Sequence, residues 1–292
     1  MKYDIRTITP AVFETDNYVV LDFETDTSHG DYGHPVHPEN GIVLACWKRP
    51  AGGEVQALWA DEYGMRELVD DIEAADLLVC HSAKYELGWL TRCGLDLSNV
   101  LVFCTKLGEY VLMGNLAAGD ELNAPRGTSL DDCCRRRGWP AKDPVVDIQI
   151  GHGINPVNIP RPWLEGRCRQ DVVSTERLFL DQRYALKESG RLGVALTRGL
   201  ITPILAEIEL VGMTLDAERT EAAYLKAEQE LAELSVEMER MTGGINWKSG
   251  TQVAEFLYNR PTPEPKFADD DITPIWLVPN SRGRKVEMLE GS

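Results

Sequence analysis

Two carboxylates one residue apart follow a short apolar segment near the start of the sequence. Asp22 and Glu24 come directly after residues 18–21, whose consecutive apolar side chains predict a buried strand. Side chains two residues apart on a strand point to the same face, so these carboxylates would lie side by side. Carboxylate oxygens are the ligands that hard divalent cations prefer. The pair predicts a metal site, although an isolated Asp-x-Glu is also common where a strand meets solvent.

Two further carboxylates lie in segments that predict helices. Glu86 follows the apolar strand run 77–80 and would lie on the first turn of a helix that begins where that strand ends. Asp171, Ser174 or Thr175, and Leu178 recur at spacings of three and four, which predicts an amphipathic helix with one carboxylate near its start. Acidic residues are common in first turns for electrostatic reasons alone, so neither residue identifies a site by itself.

Together, the segments 18–27, 77–90 and 167–180 resemble the DEDD exonucleases, in particular the proofreading domain of bacterial and phage family A DNA polymerases. That family has an Asp-x-Glu at the end of its first strand, a His-Asn-x-x-aromatic-Asp segment, and a Tyr-x-x-x-Asp leading into a last helix. Its four acidic positions are matched, in order and in context, by Asp22, Glu24, Glu86 and Asp171. The resemblance covers roughly residues 15–185 and implies an α/β fold, a ribonuclease H-like mixed sheet flanked by helices.

The resemblance also implies a reaction, the hydrolysis of a 3′-terminal phosphodiester of DNA by a two-metal site containing Mg²⁺ or Mn²⁺. Asp22, Glu24 and Asp171 would hold one ion and polarise the attacking water. Asp22 would hold the second ion beside the leaving 3′ oxygen, with Glu86 acting nearby or through water. The product would be a nucleoside monophosphate.

Three residues depart from the family pattern. Ser82 and Glu86 stand where the family usually has Asn and Asp, and Arg167 stands where it has Tyr. A Tyr hydroxyl helps to orient an attacking water, whereas a guanidinium is always charged and only donates hydrogen bonds. Arg167 would instead bind a DNA phosphate or pair with a carboxylate of the site, and it remains a candidate catalytic residue.

Residues 191–292 resemble the helical start of the polymerase domain that follows the exonuclease domain (1–190) in the same family. An apolar face and a stop at Gly212 predict one helix, and Asp216 is expected to cap a second, giving an all-helical hairpin region. The face of the first helix is predicted from Leu200, Ile204, Ile208 and Val211. The second is expected to pack along another helix through the stripe formed by Tyr224, Ala227, Leu231, Leu234, Met238 and Met241.

The sequence after Tyr258 is rich in proline and charge and has no room for the palm and fingers of a polymerase. We therefore expect a naturally short protein, half of a split polymerase or a fragment, unable to polymerise alone. The expected partners are a single-stranded DNA 3′ end and either a palm and fingers subunit or the missing C-terminal part of the same polymerase.

The net charge of −17 argues against a protein that coats DNA through electrostatics alone. A nuclease can still bind DNA through local cations and aromatic rings. The nucleic-acid-binding candidates are Lys84, Tyr85, Arg167 and Arg169, with Arg135, Arg136, Arg137, Arg161 and Trp163 as further possibilities. The three consecutive arginines are also typical of a solvated helix face.

The remaining features predict an ordinary interior and a cytoplasmic location. No signal peptide or membrane-spanning run is present, and the seven cysteines form no C-x-x-C pair, which favours reduced thiols. His29, His34 and His37 lie in a loop that more often crosses the rim of a site than binds zinc. Strands are predicted at 18–21, 42–47, 55–59, 77–80 and 100–103, helices at 65–74 and 130–137, and an extended loop over 140–163.

Two alternatives to a DNA exonuclease remain open. The first is an inactive exonuclease fold that serves as a structural or DNA-binding platform for a separate polymerase subunit, which Glu86 and Arg167 keep under consideration. The second is a 3′-exoribonuclease, because RNA-trimming relatives use the same four acidic residues. The polymerase-like helices favour DNA over RNA.

Overall fold

The computed structural model describes residues 8–29, 33–50, 53–60, 65–114, 127–140 and 144–258, and three short strands nearer the C-terminus. The chain divides into two units, Met1–Gly212 and Met213–Ser292. All seven cysteines are free thiols, in agreement with the sequence. Among the described helices, none combines the length and apolarity that crossing a membrane requires.

A five-stranded mixed sheet forms the centre of the first unit, as the sequence predicts. Its strand order is β3-β2-β1-β4-β5; β2 pairs antiparallel with β1 and β3, and β4 pairs parallel with β1 and β5. The strands are β1 (Tyr18–Thr25), β2 (Ile42–Lys48), β3 (Gln56–Trp59), β4 (Leu77–Cys80) and β5 (Val102–Cys104). All five lie where apolar runs predict them.

Seven α-helices accompany this sheet in the described part of the first unit. They are α1 (Arg66–Ala74), α2 (Ala83–Arg92), α3 (Thr105–Met113), α4 (Leu130–Arg136), α5 (Pro144–Gly151), α6 (Arg161–Glu188) and α7 (Leu192–Val211). Short 3₁₀ turns lie at Pro10–Glu14, Leu97–Asn99 and Pro156–Asn158. With the mixed sheet, they give the expected ribonuclease H-like α/β architecture.

The segment 140–163 is not the extended loop that its prolines suggest. Its described part contains α5, a 3₁₀ turn and the start of α6. Pro144 begins α5, and Pro162 lies in the first turn of α6, where a missing N–H leaves no hydrogen bond unmade. Because α6 starts at Arg161, Asp171 lies well inside this helix and not near its beginning.

Alternation along β1 determines which side chains face which helices. Val19, Leu21 and Phe23 belong to the core on the side of α1 and α2, whereas Tyr18 and Val20 belong to the core that contains residues of α6. Successive side chains of a strand point to opposite faces, so Asp22 and Glu24 continue the row on the α6 side. The pattern of one strand thus directs both carboxylates toward one helix.

Helix α7 packs mainly through its small residues; of the predicted apolar face, Leu200 is partly buried against the core. Its buried residues are Ala195, Leu196, Gly199, Thr202, Pro203 and Ala206. Ile204, Ile208 and Val211 are exposed. Gly199 shows why, because a Cβ at this position would lie 2.2 Å from the carbonyl oxygen of Val102 in β5. Close approach of the two backbones requires small residues at the contact. The helix ends at Gly212 as predicted.

The second unit begins with α8 (Ala217–Thr242) and α9 (Gly250–Tyr258). The Asp216 side chain accepts a hydrogen bond from the backbone N–H of Arg219, which confirms the predicted N-cap. Gly243 ends α8 in the left-handed conformation. No side chain within α8 is buried. An antiparallel sheet follows, formed by β6 (Lys266–Phe267), β7 (Pro274–Pro279) and β8 (Lys285–Leu289).

Candidate active site

Three elements of the first unit bring the four predicted carboxylates together. Asp22 and Glu24 lie on β1, Glu86 on the first turn of α2, and Asp171 on α6. β1 and β4 are parallel neighbours, and α2 begins just after β4, so Glu86 lies at the end of β1 that carries the acidic pair. Glu24, Glu86 and Asp171 are 6%, 4% and 4% exposed. The sequence motifs, 149 positions apart at their extremes, thus form one buried acidic cluster.

Glu86 is the most constrained of the four side chains. Burial raises the pKa of its carboxyl well above the usual value, and the negative charges of Asp22 and Glu24 raise it further. The backbone N–H of Phe23 donates a hydrogen bond to this carboxyl. Its Oε2 atom is buried and has no hydrogen-bond partner among the residues that the structure describes. A buried carboxylate oxygen without a partner is costly, and a cation would compensate it.

Arg167 places a positive charge inside the acidic cluster. Its Nη1 atom donates to Glu24 Oε1 at 2.5 Å, and its Nη2 atom donates to Asp147 Oδ1 at 2.8 Å. Burial alone would lower the pKa of this guanidinium, but the charges of Glu24, Asp171, Asp147 and Asp22 raise it above the usual value. Arg167 is therefore charged at every pH at which the protein is folded. Of the two alternatives open for this residue, the structure contains the pairing with a site carboxylate.

Cys168 of α6 lies against Asp22 of β1. Its Sγ atom is 3.5 Å from the carbonyl oxygen of Asp22 and 3.6 Å from Asp22 Oδ2. Burial raises the pKa of this thiol well above the usual value, as do the hydrogen bond with Cys46 and the charge of Asp22. Ligand atoms of Asp22, Glu24 and Cys168 lie within 4.8 Å of one another, close enough to share a metal ion. The carboxylate oxygens of this group suit Mg²⁺ or Mn²⁺.

The predicted nucleic-acid-binding residues have partners within the protein. Lys84 is half-exposed and pairs with Glu209 at 2.6 Å. The Tyr85 hydroxyl contacts Thr25 Oγ1 at 2.5 Å and donates to the carbonyl oxygen of Gly33 at 3.0 Å. Tyr85 thus connects the end of β1 with the loop that follows it.

Arg169 lies at a second surface, beside the start of α6. Its Nε atom donates to Glu165 at 2.8 Å, and its Nη1 atom donates to the carbonyl oxygen of Val55. The guanidinium of Arg161 lies over the Trp59 ring at 4.6 Å. These side chains line an open cavity of about 650 Å³, together with Ala57, Pro162 and Gly166. The cavity groups two of the cations that the sequence proposes for nucleic-acid binding.

Two of the three consecutive arginines at the end of α4 form buried ion pairs within the protein. They do not belong to a solvated helix face. Arg136 and Arg137 both pair with the buried carboxylate of Glu109 at 3.0 Å. Gln182 of α6 donates to the same carboxylate at 2.7 Å. Arg135 alone is mainly exposed, where it pairs with Asp131.

Sequence analysis misses Asp147 and Cys168 as parts of the site. Asp147 lies on α5, inside the segment predicted to be a loop, and only the helix brings it to Arg167. The available signal is the run 144–151, which begins with Pro and ends with Gly, as helices often do. Cys168 lies one turn before Val172 on the buried face of α6, a position that the predicted helix contains but does not distinguish.

The loop histidines form a separate cluster. The rings of His29 and His37 stack with centroids 5.0 Å apart, and His29 Nδ1 lies 3.2 Å from Glu39 Oε2. The Arg92 side chain donates to the carbonyl oxygens of Pro35, His37, Pro38 and Asn40 and so holds this loop against α2. That the loop is an ordinary connection and not a zinc site stays a prediction.

No protein-family model matches the sequence, and no curated protein sequence matches it. Solved structures do match the fold. A structure described as the apo form of the nuclease has a TM-score of 0.52 and 16% identity, over 72% of this chain and 94% of that chain. Brucella melitensis NrnC bound to pGG has a TM-score of 0.51 and 18% identity, over 69% and 90%.

The structure is also similar to a polymerase. The POL domain of Pol1 from M. smegmatis, in complex with a DNA primer-template and dNTP, has a TM-score of 0.54 and 15% identity. This similarity covers 86% of this chain and 39% of that chain. At such identities the matches show the fold alone. The chain has a nuclease fold, in which the acidic cluster lies at the end of the first strand.

Proposed function

We propose that this chain is a metal-dependent 3′–5′ exonuclease that releases nucleoside monophosphates. The observation that carries the proposal is the convergence of Asp22, Glu24, Glu86 and Asp171 from three elements, with a buried Glu86 oxygen that has no hydrogen-bond partner among the described residues. Such a concentration of buried negative charge destabilises a fold unless cations compensate it. Divalent cations bound by carboxylates are the usual way to activate water against a phosphodiester.

Each carboxylate has a role in this proposal. Asp22, Glu24 and Asp171 would hold positive charge that polarises the attacking water. Asp22 and Glu86 are placed to hold positive charge beside the leaving 3′ oxygen. Once bound, Mg²⁺ or Mn²⁺ would supply Lewis-acid activation of water and stabilise the developing charge. Cys168 orients Asp22 by donating to its carboxylate.

The DNA 3′ end is the substrate that we propose first. The motifs resemble those of proofreading domains, and the fold similarity to the Pol1 POL domain extends over 86% of this chain. Proofreading would require a palm and fingers, supplied by further sequence of the same polymerase or by a separate subunit. We expect the present chain by itself to give no product in a primer-extension assay. Arg161 and Arg169, which line one cavity, are proposed to contact the substrate backbone.

A short RNA is the second candidate substrate. The NrnC structure to which this chain is similar was bound to pGG, and its similarity is confined to 69% of this chain. A site that recognises only a terminal nucleotide and its phosphate accepts either nucleic acid, unless side chains contact the 2′-hydroxyl. The inactive platform is the third candidate, and the Arg167–Glu24 contact is the observation that favours it.

A labelled-oligonucleotide assay separates these candidates. The purified chain should shorten 5′-labelled single-stranded DNA from its 3′ end in Mg²⁺ or Mn²⁺, and EDTA should abolish the shortening. RNA of the same sequence, in parallel reactions, decides the substrate class. If neither substrate is shortened at high enzyme concentration with either metal, the exonuclease proposal is wrong and the platform is favoured.

A further inference from the structure

We propose that Arg167 takes the place of one of the two cations, so that this site binds a single divalent ion. The proposal rests on the proposed function, because it concerns the metal content of the same acidic cluster. It revises the two-metal site that the motif resemblance implies, because Arg167 stands in for the ion assigned above to Asp22, Glu24 and Asp171. In this proposal, Asp22 and Glu86 provide the ligands of the remaining ion.

Arg167 lies among three carboxylates of the acidic cluster. Arg167 lies one turn before Asp171 on α6, so the two side chains share a face of the helix. Its guanidinium is bonded to Glu24 and lies close enough to Asp171 and Asp22 for their charges to act on it. These three carboxylates are the ones that the sequence assigns to one metal ion. The guanidinium therefore supplies positive charge where that ion is expected.

The contact between Arg167 and Glu24 is held in place by the surrounding structure. The Arg167 side chain is 18% exposed and is held on two sides, by Glu24 and by Asp147. A planar guanidinium fixed by two carboxylates is far more constrained than a long cation extending into water. These two contacts hold the guanidinium against Glu24.

The total charge of the acidic cluster also favours a single divalent ion. Two divalent ions and Arg167 would place five positive charges beside the four carboxylates of a largely buried cluster. One divalent ion and Arg167 place three there. Asp147 is half-exposed, so solvent screens much of its charge. Arg167 pairs with Glu24 and Asp147, whereas the buried Oε2 atom of Glu86 has no hydrogen-bond partner among the described residues, which favours the Asp22 and Glu86 side for the single ion.

A titration with Mn²⁺ alone tests the proposal without any nuclease activity. Isothermal titration calorimetry and the electron paramagnetic resonance signal of free Mn²⁺ both count the bound ions. We expect one bound ion in the unaltered protein and two in Arg167→Gln, which removes the charge but keeps a polar side chain of similar reach. Arg169→Gln is the matched control on the same helix, because Arg169 pairs with Glu165 outside the cluster. It should leave the number at one.

The outcomes distinguish this inference from the proposed function. Two ions in the unaltered protein, or one in a folded Arg167→Gln variant, would overturn the single-ion proposal. If the unaltered protein binds no Mn²⁺ more tightly than Asp22→Asn, the metal site itself is absent and the proposed function fails with it. Should Arg167→Gln not fold, as seen by circular dichroism, the count in the unaltered protein alone decides, and Arg167→Lys should reproduce it.

Discussion

Arg167 of helix α6 donates a hydrogen bond of 2.5 Å to Glu24 of strand β1, joining segments 143 residues apart. The contact compensates one carboxylate of the acidic cluster from within the chain. Glu86 lies on helix α2, and its carboxyl is near the charges of Asp22 and Glu24. Its buried Oε2 atom has no hydrogen-bond partner among the residues that the structure describes, so a charge on Glu86 is poorly compensated in the absence of metal.

Replacing Glu86 by Gln should stabilise the metal-free protein at neutral pH. Because the pKa of Glu86 is raised in the folded state, its burial costs little below its usual pKa of about 4.5. The cost grows as the pH rises through the raised pKa. We expect Glu86→Gln to be the more stable protein near pH 8 by about 1 kcal/mol or more, because the amide has no charge to desolvate and is not repelled by Asp22 and Glu24.

Chemical denaturation in EDTA measures this gain. The difference between Glu86→Gln and the unaltered protein should disappear near pH 4, where both side chains are neutral. The same variant should lose nuclease activity, since it lacks a carboxylate of the proposed site. A loss of stability at pH 8, or a gain that does not depend on pH, would contradict the account of Glu86.

Glu109 should behave in the opposite way. Burial alone would raise the pKa of its carboxyl, but the hydrogen bonds from Arg137 and Gln182 and the charge of Arg137 lower it. Its contribution to stability is therefore present above its usual pKa of about 4.5 and is lost as the pH falls through the lowered value. Glu109→Gln should cost about 3–5 kcal/mol near pH 7, because it leaves Arg136 and Arg137 without this buried charge.

The control for Glu109 is Asp181, a second partner of Arg137 that is 45% exposed. Asp181→Asn should cost less than about 1 kcal/mol, as exposed pairs do. Urea denaturation of the two variants at pH 7 compares them directly. Equal losses would mean that the burial of Glu109 does not determine the strength of this network.

The sequence predicts those parts of the site that depend on local pattern. The apolar run before Asp22 marks β1, the alternation along a strand places Asp22 and Glu24 on one face, and the run before Glu86 marks β4 and the start of α2. These features follow from strand and helix periodicity, so they do not depend on how the rest of the chain folds. The order of the motifs then brings in Asp171.

The partner of Arg167 depends on tertiary structure and is less accessible from the sequence. Arg167 could bind either a DNA phosphate or a carboxylate of the site. To choose between them, one must know how α6 packs against β1. The sequence does not identify Asp147 as part of the site, because the prolines of its segment predict a loop. In the structure, Pro144 begins a helix that contains Asp147. The packing face of α7 was missed because small residues such as Gly199 give no hydrophobic signal.

Gly199 provides a test of that packing face. A Cβ at this position would meet the Val102 carbonyl oxygen at 2.2 Å, and a backbone atom in a sheet cannot move aside cheaply. Gly199→Ala should destabilise the protein by about 1–3 kcal/mol, as overpacking does. Gly193 lies on the same helix, where an added Cβ would meet no described atom within 4 Å beyond its own helix turn and chain neighbours. Gly193→Ala should be neutral or stabilising by up to about 1 kcal/mol, since Ala favours helix.

Thermal unfolding of the two glycine variants, measured side by side, decides this point. A destabilised Gly193→Ala with an unaffected Gly199→Ala would mean that α7 does not approach β5 as closely as the structure indicates. The two substitutions add the same methyl group, so their difference isolates the contact from helix propensity.

The central claim is that the acidic cluster carries out metal-dependent hydrolysis at a nucleic-acid 3′ end. Its most direct test is the rate of 3′ shortening of a 5′-labelled oligonucleotide by the unaltered protein, Asp22→Asn, Asp171→Asn and Asp26→Asn in Mn²⁺. Asp26 is the matched control, because its carboxylate lies two residues beyond Glu24 and is bonded to Ser28 and Asn155. We expect the first two variants to lose about a hundredfold or more, or about 2.7 kcal/mol of barrier lowering, with unchanged circular dichroism. Asp26→Asn should retain most of the activity. Shortening that survives both Asp22→Asn and Asp171→Asn, or that never occurs in the unaltered protein, would contradict the claim.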